Sequence, residues 1–78
     1  MNVTEYVGKE YDDAQLLYKS LSTIKALVPS KKKELLSMID KQLELIDNLD
    51  EECGTPLEER RLAFITKVLA AARRSCLE

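Results

Sequence analysis

The side chains that could do chemistry in this sequence are carboxylates, two thiols and clustered cations; it contains no His. Without an imidazole, Ser-His and Cys-His nucleophile pairs and His-ligated metal sites are excluded. Carboxylates stand side by side at Asp12-Asp13 and Glu51-Glu52. General acid–base chemistry needs one carboxyl in a pocket that shifts its pKa. Both pairs fall in very polar stretches near expected helix ends, so they read as solvated surface. The segment Asp47-Asn48-Leu49-Asp50-Glu51-Glu52 has the acidity of a calcium loop. It lacks the Asp-x-Asp-x-Asp-Gly spacing and continues a helical pattern. With Gly8 and Gly54 as the only glycines, no Gly-rich phosphate loop can be built. The expectation is a chain with no cofactor, no metal and no catalytic residue, not an enzyme.

The thiols are Cys53 and Cys76. Acids surround Cys53 in sequence, a field that opposes thiolate formation. Cys76 follows Arg73 and Arg74 and would be the more reactive if exposed, but its spacing places it on an apolar stripe, as a core thiol. The two lie at opposite ends of one expected helix, whose rise of roughly 30 Å far exceeds the roughly 7 Å that a disulfide tolerates between Cα atoms. Two free thiols are expected. The cations cluster as Lys31-Lys32-Lys33 and Arg73-Arg74.

Helices must position these groups. The chain has 78 residues, 45% hydrophobic and 33% charged, with two Gly and two Pro. That is one domain, residues 1–78, with too few turn residues for an all-β sandwich. A chain of this length buries only about 60% of the surface it exposes unfolded, so its core is small. The clearest boundary is Gly54-Thr55-Pro56-Leu57-Glu58: Gly54 can end a helix, Thr55 can cap the next, Pro56 suits a first turn, and Glu58 completes a Thr-x-x-Glu capping box. A second boundary is Val28-Pro29-Ser30, with Pro29 ending one helix and Ser30 capping the next.

Apolar periodicity then predicts three helices. The first covers about 10–28, or starts as early as Thr4; Gly8 weakens the early start, and Asp12 offers an alternative cap. Its apolar face is Val7, Ala14, Leu17, Leu21, Ile24 and Val28. The second covers about 31–52, with Leu35, Leu36, Ile39, Leu43, Ile46 and Leu49 on a broad face. The third covers about 56–75, with Leu62, Ile65, Leu69, Ala72 and Cys76, widened by Phe64, Val68 and Ala71. Short connections make successive helices antiparallel. The expected fold is an all-α antiparallel three-helix bundle, with dimerisation as a way to complete its small core. Residues 1–9 read as a helical start or a frayed extension, and Leu77-Glu78 fits the remnant of a cloning junction.

Stacking these helices sorts the charges by end. Glu5, Glu10, Asp12, Asp13, Asp47, Asp50, Glu51, Glu52, Glu58 and Glu59 gather at one end, against Lys9, Arg60 and Arg61. Lys25, Lys31, Lys32, Lys33, Arg73 and Arg74 gather at the other, against Glu34 and Glu78. The second helix opposes its own dipole, with lysines at its start and acids at its end. Local rules are broken where a partner is met.

Apolar residues left off the main stripes are Leu16, Leu27, Met38 and Leu45. Met38 and Leu45, two turns apart, share a face. Tyr11 and Tyr18 flank the first stripe as half-buried rings, and Tyr18 is also a candidate anchor for a partner. The expected function is a protein–protein interaction module, such as a small adaptor, regulator, chaperone-like protein or assembly subunit. Its partner is another protein with a helix to offer, or a second copy in a homodimer. The candidate residues are Leu16, Tyr18, Met38 and Leu45, then Lys31, Lys32, Lys33, Arg73 and Arg74. The alternative is a small nucleic-acid-associated regulator using the basic end, which the net charge of −2 and the acids at the start of the third helix disfavour. No apolar run spans a membrane, and no signal peptide opens the chain, so a cytoplasmic location is expected.

One segment carries a resemblance. Glu10-Tyr11-Asp12-Asp13-Ala14-Gln15-Leu16-Leu17-Tyr18-Lys19 is similar to the Tyr-acid-acid-Ala…Leu-Tyr stretch of MIT domains and of tetratricopeptide-type hairpins. The resemblance implies a three-helix module that binds helical tails of membrane-remodelling proteins. In MIT domains a full helix precedes this stretch; here residues 1–9 do. No binding residue is transferred from the family.

Overall fold

The computed structural model describes residues 3–49 and 55–77. All regular structure among them is helical: α1 (Val3–Lys19), α2 (Leu21–Lys25), α3 (Pro29–Asp47) and α4 (Pro56–Leu77). Cys53, Gly54 and the acids Asp50, Glu51 and Glu52, expected at the end of the second helix, lie outside the described residues, as does Glu78.

The early start of the first helix is the observed one. Val3, Tyr6 and Val7 are buried, so the first turns are held by the core and are not a frayed extension. Gly8 is accommodated inside α1, and Asp12 sits in mid-helix instead of capping it. The expected helix to residue 28 is interrupted at Ser20, where φ is −100° and ψ is 6°. The Ser20 hydroxyl donates to the Leu16 carbonyl at 3.0 Å, and the Ser20 N–H donates to Leu17, one residue closer than α-helical pairing. Back-bonding of this kind bends helices; the chain resumes as the short α2.

Pro29 opens α3 rather than closing the preceding helix. Its missing N–H costs nothing at a first helical position, and it holds Val28 extended (φ −66°, ψ 154°). The residue at the cap is therefore Val28, which makes no side-chain cap bond, and Ser30 lies inside the first turn. Val28 is 57% exposed: ending α2 at Lys25 takes it off the stripe. At the far end, α3 stops at Asp47; the Asn48 side-chain amide donates back to the Glu44 carbonyl at 3.0 Å. The start of α4 is as expected, with the Glu58 N–H donating to Thr55 Oγ1 at 3.3 Å. The Glu58 carboxylate is used elsewhere: Thr4 Oγ1 donates to it at 2.8 Å, joining the first turns of α1 and α4. Leu77 is the last residue of α4.

α4 is the element on which the others pack. Its buried residues, Ile65, Val68, Leu69, Ala72, Ser75 and Cys76, recur every three or four positions and form one continuous face along the helix. α1, α2 and α3 each lie against it. Ala72 is 0% exposed, and its small side chain lets a neighbouring helix approach closely. The core also takes Ala14, Ile24 and Ile39, with Leu17, Leu35, Leu43 and Leu62 half-buried around it. Arg73 Nε donates to Asp40 Oδ1 at 3.0 Å, fixing α4 against α3. Both side chains are about half exposed, so this pair adds little stability.

Ile65→Ala removes a fully enclosed side chain from this shared helix and should cost about 2–5 kcal/mol. Val28→Ala should change stability by less than about 0.5 kcal/mol. Urea unfolding followed by circular dichroism measures both; equal costs would contradict the observed placement of Val28.

Candidate binding groove

Because α1 and α3 both pack on α4, an apolar groove of about 260 Å³ is left between them. Its deepest residues are Ile65 and Leu69 of α4, Ala14 of α1 and Ile39 of α3, all buried. Leu17 and Leu35, half-buried, form the facing walls. Met38 stands at the lip and is 63% exposed. Leu35, Met38, Ile39 and Gln42 follow helical spacing along one side of α3. Tyr6, Glu10, Asp13 and Leu17 do the same on α1.

The polar groups of the groove are few and placed. Tyr6 is buried to 2% exposure, and its hydroxyl donates to Gln42 Oε1 at 2.9 Å. This bond joins the start of α1 to the end of α3. Burial, and then the nearby Glu10 carboxylate, push the Tyr6 phenol up from 10.0 to about 12. The remaining polar lining is Glu10 and Asp13, both from α1; among the described residues, no cation lines the groove.

The residues singled out in the sequence are dispersed over the molecule. Met38 alone of them reaches the groove. Leu45 shares a shallow depression with Lys41 and Glu44 of α3 and with Asn48 just beyond its end. Leu16 is 63% exposed. Tyr18 lies on the outer α1–α4 seam, its ring 6.1 Å from Phe64. Tyr11 meets the same Phe64 edge-on at 5.6 Å, with the Arg61 guanidinium 4.8 Å from the Tyr11 ring centre.

The basic residues are likewise divided. Lys31 pairs with Glu34 at 3.7 Å, and Arg73 is held by Asp40. Lys32 and Lys33 border a hollow with Pro29, Leu36 and Cys76, while Arg74 borders another with Leu21, Ser22, Lys25 and Ser75. The Cys76 thiol is buried, as its spacing predicts. Burial raises its pKa, and the Lys32 ammonium pulls in the opposite direction. Among the described residues, no group of three or more Cys, Asp or Glu side chains could hold a metal ion, and no helix is long and apolar enough to cross a membrane.

Sequence reasoning missed Tyr6, Glu10, Asp13 and Gln42 as groove residues. A signal was present in the 4-3-4 spacing of Tyr6, Glu10, Asp13 and Leu17, but a search for apolar periodicity passes over a stripe that is half polar. No family model matches this chain, and neither a curated protein nor a solved structure matches it significantly.

The Tyr6 phenol binds its proton more tightly folded than unfolded. Its contribution to stability is complete below about pH 10 and is lost as pH rises towards about 12. Tyr6→Phe should cost about 1 kcal/mol at neutral pH through the lost hydrogen bond. Between pH 10 and 12 it should lose less further stability than the parent protein. Urea unfolding of both proteins across that range is the check; parallel curves would place the phenol outside the folded contact.

Proposed function

We propose that this chain is an antiparallel three-helix bundle, with α1 and α2 as one bent limb, that works as a non-enzymatic protein-interaction module. The observation that carries this reading is the groove between α1 and α3, which has an apolar bed and a half-polar α1 wall. Antiparallel packing is supported by Tyr6–Gln42, which joins the start of α1 to the end of α3, and by the hollow where Pro29 and Lys32 at the start of α3 meet Cys76 at the end of α4. A trough between two helices that share a third suits another helix, since helices pack ridge into groove. Apolar clefts with a few convergent polar groups are where proteins take ligands.

Adaptor, small regulator, chaperone-like and assembly roles all use such a surface. Met38 is the residue that the sequence-based and groove-based readings share.

Met38→Asp places a charge on the groove lip without touching a buried position. The variant should keep the parent helix content and thermal midpoint, yet lose the proteins that the parent captures from a lysate. Leu16→Asp, equally exposed but outside the groove, should retain them. Capture unchanged by Met38→Asp would reject the groove as the interaction site.

A further inference from the structure

We infer that the partner helix is cationic along one edge: the groove takes an amphipathic helix whose apolar face rests on Leu17, Leu35 and Met38 and whose Lys or Arg residues face Glu10 and Asp13. The inference rests on the groove being the interaction site and adds the chemistry of its occupant.

Charge complementarity carries it. Among the described residues that line the groove, the charged side chains are Glu10 and Asp13, both carboxylates from α1. Glu10 and Asp13, one turn apart, lie on the same side of their helix. Neither takes part in a salt bridge with another described residue. Glu10 is half-buried, and Asp13 is exposed at the rim. The α3 side facing them offers Met38 and the Gln42 amide and no charge. A partner helix seated in the groove therefore meets negative charge along one edge and neutral surface along the other. An acidic edge facing α1 would place like charges together, which suppresses wrong partners, whereas a basic edge forms pairs that also fix orientation.

The length is set too. From Tyr6 to Leu17 the wall runs about three helical turns, about 16 Å, so a short helix fills it. Partner cations spaced three or four residues apart would match the spacing of Glu10 and Asp13.

Two designed helical peptides of about four turns test this. They share one leucine face and differ only in carrying Lys or Glu along its edges. Binding is followed by fluorescence anisotropy with the full chain, at low and at physiological salt.

The Lys-edged peptide should bind at least about tenfold more tightly than the Glu-edged one, with the margin shrinking as salt rises. Glu10→Lys combined with Asp13→Lys should reverse the preference. The gentler Glu10→Gln with Asp13→Asn should bring the two peptides near parity. Asp12→Lys with Glu59→Lys, an equal charge change outside the groove, should leave the preference in place. Met38→Asp should weaken binding of the Lys-edged peptide.

Equal binding of the two peptides, or equal effects of the two Lys reversals, would overturn the charge selection while leaving the groove as a site. Binding of neither peptide, or binding indifferent to Met38→Asp, would overturn both. A salt-resistant dimer in sedimentation that Met38→Asp dissociates would make a second copy the occupant and overturn the cationic partner.

Discussion

The structure depends on the sharing of α4 by three other helices. α1 and α3 touch each other little, and a chain this short has only a small core to share among its helices. α4 serves as a common floor instead, with a continuous buried face from Ile65 to Cys76. Small side chains are needed there. Ala72 is fully buried, and a larger residue would push a neighbouring helix outwards. The cost of this arrangement is an open seam. α1 and α3 meet chiefly through Tyr6 and Gln42, and the space along them is the groove.

This constraint ties the fold to the functional reading. The groove bed is made by Ile65 and Leu69, on the same helix that organises the core. The site is therefore held by the rigid part of the molecule and not by a loop, so a partner helix would find its apolar bed already formed. The Tyr6–Gln42 bond sets the relation of α1 to α3 at one end, and Asp40–Arg73 fixes α3 on α4 further along. Glu10 and Asp13 remain at the lip on α1, where carboxylates can stay hydrated until a partner arrives.

Much of the architecture was legible in the sequence, because strong local rules agreed with the packing. Thr55, Pro56 and Glu58 start α4 where capping chemistry predicts. The stripe of Ile65, Leu69, Ala72 and Cys76 is buried as its spacing requires. The errors arose where one residue could serve two roles. Pro29 can end a helix or open one, and here it opens α3. Ser20 carries no strong breaking signal, yet its hydroxyl competes for the Leu16 carbonyl and divides the limb. The candidate site was less legible. A groove is a property of two helices and the space between them, and no single helical pattern encodes that space. Met38 was visible as an apolar residue off the stripe, whereas Tyr6 and Gln42 become partners only through the fold.

The groove between α1 and α3 stands open to solvent at its walls and lip in the free protein, above the buried side chains of α4. Relaxation of side-chain methyl signals by a soluble gadolinium chelate measures this directly. Met38 and Ile39 are chain neighbours, 63% and 2% exposed. The Met38 methyl should relax as fast as the methyls of the exposed Leu16, with Ile39 and Ile65 protected. A Met38 methyl as protected as that of Ile39 would mean that the groove is already covered and has no room for a partner helix.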